Sequence, residues 1–193
     1  MKICVYGAAS SEIDNSFIFA GEELGRKMAE RGHGLVFGGG RNGMMGAVAR
    51  GIREKDGEVI GVSPKFFEEN NAEIWYLDCT EFVTTETMRE RKKILDESSD
   101  AFIVTPGGIG TLDEFFEILT LKQLGRHNKA IVILNTNGYY DNLLKMMEYS
   151  IDEKFVTRDC LDLYKVATSA EEILDYIEKY DPTDIDLSKL KIR

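Results

Sequence analysis

From end to end, short apolar runs alternate with longer stretches in which apolar residues recur every three or four positions. The runs at residues 3–6, 34–37, 59–62, 101–104, 130–134 and 163–167 read as strands. The stretches between them predict helices over 16–31, 44–55, 86–97, 112–124, 140–152 and 170–180, with Ser169 and Glu172 spaced as a capping box for the last. Strand–helix alternation of this kind requires right-handed crossovers between parallel strands. The expected fold is therefore α/β: a single-domain, Rossmann-like, doubly wound parallel sheet with helices on both faces and ligands beyond the carboxyl ends of the strands. Residues 63–84 are the least regular, a loop with a short strand near 81–83, and residues 182–193 look like a polar extension to a nucleotide-binding domain at 1–181.

Two strand-to-helix turns are glycine-rich. Phe37 is followed by Gly38-Gly39-Gly40-Arg41-Asn42-Gly43-Met44-Met45-Gly46, and Val104 by Thr105-Pro106-Gly107-Gly108-Ile109-Gly110-Thr111-Leu112-Asp113-Glu114. Such a turn brings bare backbone N–H groups and a helix N-terminus to one place, which suits an anion. Glycines alone also serve tight turns and close helix–sheet packing. Two such turns at neighbouring strand ends favour a clamp on one phosphate, with Thr111 as helix cap and hydroxyl donor. Gly38, Gly40 and Gly43 also satisfy G-x-G-x-x-G, but this turn follows the second strand, and the next strand ends Gly61-Val62-Ser63-Pro64 with no acid for a ribose diol. NAD or FAD is thus poorly supported, and no GxxxxGK[ST] string is present for a triphosphate.

Charge sharpens this picture. A net charge of −10 over 193 residues disfavours nucleic acid and anionic membranes as partners, so an anionic ligand has to be captured locally. Cys4, Cys79 and Cys160 are too scattered for a disulfide framework or a metal cluster and suit a reducing cytoplasm. The opening apolar run is too short for a signal core, and no segment reaches the roughly 18 apolar residues of a membrane span. His33 and His127 are isolated and read as surface or loop residues, so no metal site is expected.

Taken together, GGGRNGMMG, the helical segment Thr87-Met88-Arg89-Glu90-Arg91-Lys92 and PGGIGTLDE resemble the LOG family, long mislabelled as possible lysine decarboxylases. Its signature is a GGGxxGxMG turn, an MxxRK helix and a PGGxGTxxE turn, all present here in that order. The opening strand and Leu134-Asn135 with Gly138-Tyr139-Tyr140 extend the resemblance over residues 3–155. It implies a nucleoside 5′-monophosphate phosphoribohydrolase that splits cytokinin riboside 5′-monophosphate or AMP into free base and ribose 5-phosphate. It further implies no cofactor or metal, and a homodimer with the active site near the subunit boundary. By motif, the catalytic pair falls on Arg91 and Glu114. The substrate and phosphate positions fall on Gly39, Gly40, Gly43, Met88, Lys92, Gly107, Gly108, Gly110 and Thr111.

Breaking an N-glycosidic bond builds positive charge on the ribose, so a carboxylate beside the sugar stabilises the transition state and can activate water. Glu114 lies one helical turn beyond the proposed phosphate position. Arg91 either contacts phosphate or ribose oxygens or pairs with Glu114. Met88, Arg91 and Lys92 share one helix face, with Met88 packing and both cations reaching inward. By residue pattern alone, Thr111 and Glu114 also fit a capping box, and the run 89–93 fits a solvated helix face. Lys92 as a pyridoxal phosphate lysine lacks any accompanying cofactor motif. The loop Gly7-Ala8-Ala9-Ser10-Ser11 and Ile109 depart from the family pattern and bear on the choice of base. Trp75 and Tyr76 either line a base pocket or pack on the sheet. Two competing functions use the same loops: a non-catalytic nucleotide or cofactor carrier, and a Rossmann-type oxidoreductase with NAD or NADP.

Overall fold

The computed structural model describes residues 1–67 and 75–183. Within them seven strands pair in parallel in the order β4-β3-β2-β1-β5-β6-β7. The strands are β1 (Lys2–Tyr6), β2 (Gly34–Phe37), β3 (Val59–Pro64), β4 (Glu81–Thr85), β5 (Ala101–Val104), β6 (Ala130–Leu134) and β7 (Lys165–Ala167). The helices are α1 (Asn15–Glu30), α2 (Gly43–Arg53), α3 (Met88–Glu97), α4 (Ile109–Gln123), α5 (Asp141–Asp152) and α6 (Ala170–Lys179).

Alternate residues of each strand enter two separate cores, because successive strand side chains point to opposite faces. Ile3, Val5, Leu35, Phe37, Ile103 and Val132 pack with α1, α2 and α6. Cys4, Val36, Val62, Phe102 and Ile131 pack with α3 and α4, and Leu143, Leu144 and Met147 of α5 join them. Helices therefore cover both faces of an α/β sheet, as the strand–helix alternation requires. Strand order reverses direction between β1 and β5, whose register pairs Tyr6 with Val104. The crevice beyond those two ends is where a doubly wound sheet receives its ligand.

Several boundaries differ from the sequence reading, each for a local reason. The strand near 81–83 is longer, a parallel edge strand whose Thr85 pairs with Pro64. Helix α3 starts at Met88 because Thr87 caps it, Oγ1 accepting from the Glu90 N–H while the Glu90 carboxylate accepts from the Thr87 N–H. Residues 158–163 form a 3-10 turn, so β7 begins only at Lys165. At α6 the Ser169 hydroxyl accepts from the Glu172 N–H, but the Glu172 carboxylate reaches the Thr168 N–H rather than closing the expected box. His33 is buried at 8% exposure with Nε2 2.8 Å from Glu178 Oε1, and His127 Nε2 lies 2.8 Å from the Ile118 carbonyl. Both lie in loops as expected, His33 buried and His127 half-buried, and each tethers its loop to a neighbouring element. No described helix is long and apolar enough to cross a membrane, and no described cluster of His, Cys, Asp or Glu is arranged for a metal. From residue 184 on, the polar extension lies outside the described residues.

Candidate active site

The first glycine turn folds as it does because several of its positions, Gly38 and Gly43 among them, leave no room for a side chain. Gly43 has φ +60, and a Cβ there would lie 2.4 Å from the Ala8 carbonyl oxygen. That close approach lets the Met45 N–H donate to the same carbonyl and welds the turn to the end of β1. A Cβ on Gly38 would lie 2.1 Å from Arg91 Nη2, so the guanidinium occupies space that only glycine leaves open.

Arg91 comes from α3 on the other side of that space. Its Nε donates to the Val62 carbonyl at 3.2 Å and its Nη1 to Glu114 Oε1 at 2.6 Å. Both side chains are below 10% exposed, at 8% and 9%. Arg91 thus pairs with Glu114, and it also lines the cavity. Burial pushes the Glu114 carboxyl above its ordinary range, and the adjacent guanidinium opposes that rise. Glu114 therefore does not act as a cap: the N-cap of α4 is Gly108, with neither Thr111 nor Glu114 closing a capping box. Thr111 sits buried in the first turn of α4, its Oγ1 2.1 Å from where a Cβ on Gly107 would be.

These residues border one cavity of about 370 Å³ at the reversal of strand order. Of the positions expected from the motifs, Gly40, Met88, Arg91, Gly108, Gly110, Thr111 and Glu114 line it. At Gly108 and Gly110 an added Cβ would meet nothing within 4 Å, so bare backbone faces open space. The first N–H groups of α4 have no intrahelical acceptor, the arrangement that suits an anion.

Gly39, Gly43, Gly107 and Lys92 do not line the cavity. Gly39 and Gly43 instead hold the turn in its left-handed conformations, at φ +77 and +60. Lys92 departs from the expected inward reach. It ion-pairs with Asp113 at 3.1 Å and with Glu117, in a neighbouring groove, because its place one residue past Arg91 rotates it off the buried face.

Trp75 lines the cavity, its ring 4.9 Å from that of Phe82 and its backbone bridged antiparallel to Gly40. Tyr76 packs edge-on to Phe37 in the core, so the two neighbouring aromatics divide between the two readings. The sequence reading missed Ala8, Arg41, Met45, Ser63 and Phe67 as lining residues. Arg41 carried a signal, a cation between the glycines of a phosphate-type turn. Ala8 belongs to the loop already read as bearing on the choice of base, Met45 sits on α2 just past the turn, and Ser63 and Phe67 carried none because they approach from the end of β3 only through the fold.

A family model described as possible lysine decarboxylase matches residues 45–177. The chain is 35% identical over 94% of its length to cytokinin riboside 5′-monophosphate phosphoribohydrolase LOG2 of Arabidopsis thaliana, covering 84% of that protein. The chain belongs to the LOG family. A second LOG member, from Oryza sativa subsp. japonica, is 36% identical over 94% of this chain and 74% of its own length. Among solved structures, the molybdenum cofactor binding protein of Rippkaea orientalis superposes with a TM-score of 0.68 at 22% identity, covering 92% of this chain and 94% of that one. The molybdenum cofactor carrier protein of Chlamydomonas reinhardtii does so with 0.67 at 22%, covering 92% and 96%. These two likenesses speak to the fold that LOG proteins share.

Proposed function

We propose that the protein is a phosphoribohydrolase acting on nucleoside 5′-monophosphates, cytokinin riboside 5′-monophosphate or AMP, and releasing the free base and ribose 5-phosphate. The observation that carries this reading is the buried Arg91–Glu114 pair at 2.6 Å, set in a cavity that also exposes bare backbone at Gly108 and Gly110. The 5′-phosphate binds the N-terminus of α4, which holds the ribose over Glu114 one turn further along the helix. Anchoring the phosphate converts remote binding energy into orientation of the glycosidic bond. The Glu114 carboxylate stabilises the positive charge that grows on the ribose and directs the attacking water, while Arg91 fixes its position and favours its ionised form. Met45, Met88, Phe67 and Trp75 offer the apolar surface for the base. The chemistry uses no cofactor or metal.

The nucleotide-binding unit is a single domain over residues 1–181. It works in the cytoplasm, where free Cys4, Cys79 and Cys160 persist as thiols, and as a homodimer. Exposed Ile109 and Phe116 beside the cavity support pairing with a second copy there.

Incubation with AMP, prenylated adenine nucleotides and pyrimidine nucleotides, with assay of released base, tests the proposal. The wild type should release base, and Glu114→Gln should be slower by about 10²-fold or more, the usual worth of a positioned acid–base group. Equal rates would remove the assignment. Tight AMP binding with no base released over hours would instead identify a carrier.

A further inference from the structure

Three consecutive carbonyls of the second glycine turn are each engaged by a donor from the surrounding scaffold. The Tyr140 hydroxyl donates to the Thr105 carbonyl at 2.7 Å, the Ala8 N–H to Pro106 at 3.0 Å, and the Tyr139 hydroxyl to Gly107 at 2.8 Å. Two of the three donors are side-chain hydroxyls spent on holding backbone. Both tyrosines come from one segment after β6, and that segment is itself fixed: Asn135 Oδ1 accepts from the Tyr140 N–H and its Nδ2 donates to Asp141. The two rings meet edge to face at 4.9 Å, and Tyr139 also lies edge-on to Phe17 of α1.

A glycine-rich turn gains close approach to a ligand but loses the steric limits that would keep it in one conformation. An anion site works only when its N–H groups are held in place before the ligand arrives and no carbonyl swings in among them. We propose that Tyr139 and Tyr140 are positioning residues for substrate phosphate: their hydroxyls hold the Gly107 and Thr105 carbonyls, and with the Ala8 N–H on Pro106 they fix the turn that leads into Gly108 and the first amides of α4 at the cavity. This rests on the reading of the α4 N-terminus as the phosphate subsite. Neither tyrosine lines the cavity, so neither touches substrate. Their effect is confined to the phosphate end of the ligand, and the sugar and base ends depend on other elements.

The test compares wild type, Tyr139→Phe, Tyr140→Phe and the double variant, each retaining its ring and losing only the hydroxyl. Ribose 5-phosphate binding is measured by calorimetry, and base release is measured with AMP and with adenosine, which lacks the phosphate. In the double variant ribose 5-phosphate affinity should fall and the KM for AMP should rise by about tenfold or more, the order expected for two lost hydrogen bonds, with kcat changed less. The rate on adenosine should stay within twofold of wild type, since a phosphate-positioning role leaves it untouched. Unchanged phosphate affinity, or equal losses on AMP and adenosine, would overturn the proposal. So would a wild type that binds no ribose 5-phosphate. Should the double variant fail to fold, Tyr139→Phe decides alone, because that half-exposed ring tolerates loss of its hydroxyl. A protein that binds ribose 5-phosphate through the tyrosines yet releases no base from AMP would refute the hydrolase and leave the clamp standing.

Discussion

Glu114 spends its time in the company of a guanidinium, and its chemistry follows from the balance between that partner and the loss of water around both. Burial raises its pKa and Arg91 lowers it, with burial the larger. The ionised carboxylate is the working form, so kcat/KM should climb with pH along an acid limb lying above the ordinary carboxylate value of 4.5. A limb at or below that value would contradict the assignment. Arg91→Met leaves a buried carboxylate unpaired, which should cost about 3–5 kcal/mol at pH 7 in a denaturant titration. With the guanidinium gone, the folded-state pKa of Glu114 rises further above its unfolded value. Stability from its protonated form is present at acid pH and lost as pH rises through that raised value. The deficit against wild type should therefore be smaller at pH 5 than at pH 8. Gly110→Ala has the opposite profile. A methyl in the first turn of α4 should add about 0.5–1 kcal/mol of stability. It also projects into the open cavity, so AMP affinity should drop while the melting temperature holds or rises.

At the scale of elements, α3 and α4 matter most because they bring the two halves of the ion pair together. Thr87 and Glu90 start α3 with a capping box, and on that helix Arg91 is buried while Lys92 turns to Asp113. The pattern Thr87-x-x-Glu90 is legible in the sequence, as is the Met-x-x-Arg spacing. Which of the two adjacent cations goes inward is not, since a helix face is chosen by what it packs against. The far end of α4 is held differently. Lys122 is wholly buried, its Nζ donating to the Lys129 carbonyl and the Tyr180 hydroxyl, each at 2.9 Å, and it ties α4 to the end of α6. Burial lowers its pKa from 10.5 to about 8. Between those values the unfolded chain binds a proton that the folded chain does not, so stability should rise with pH from 8 to 10. Lys122→Met should flatten this rise in melting curves recorded across that range.

The whole molecule is a switch-point sheet, and its cavity exists only because β1, β2, β3 and β5 end side by side. A carboxylate-rich chain of net charge −10 needs such a local cradle to bind a phosphate at all. Exposed Ile109, at 88%, lies at the cavity's edge, where a second copy would cover it. Light scattering should give twice the 21.8 kDa of one chain, and Ile109→Asp, which suits a helix N-terminus, should return the mass to that of a monomer. By itself, the sequence determined the α/β alternation and the two glycine turns and marked Arg91 and Glu114 as candidates, because each is written in local period or contiguous motif. Tertiary structure alone decided that Arg91 binds Glu114, that Lys92 does not reach the cavity, and that Trp75 lines the cavity while Tyr76 packs on the core. It also recruited Tyr139 and Tyr140 to the turn after β5. Those outcomes depend on which strand ends become neighbours and how each helix is rotated, quantities set by packing between segments far apart in the chain.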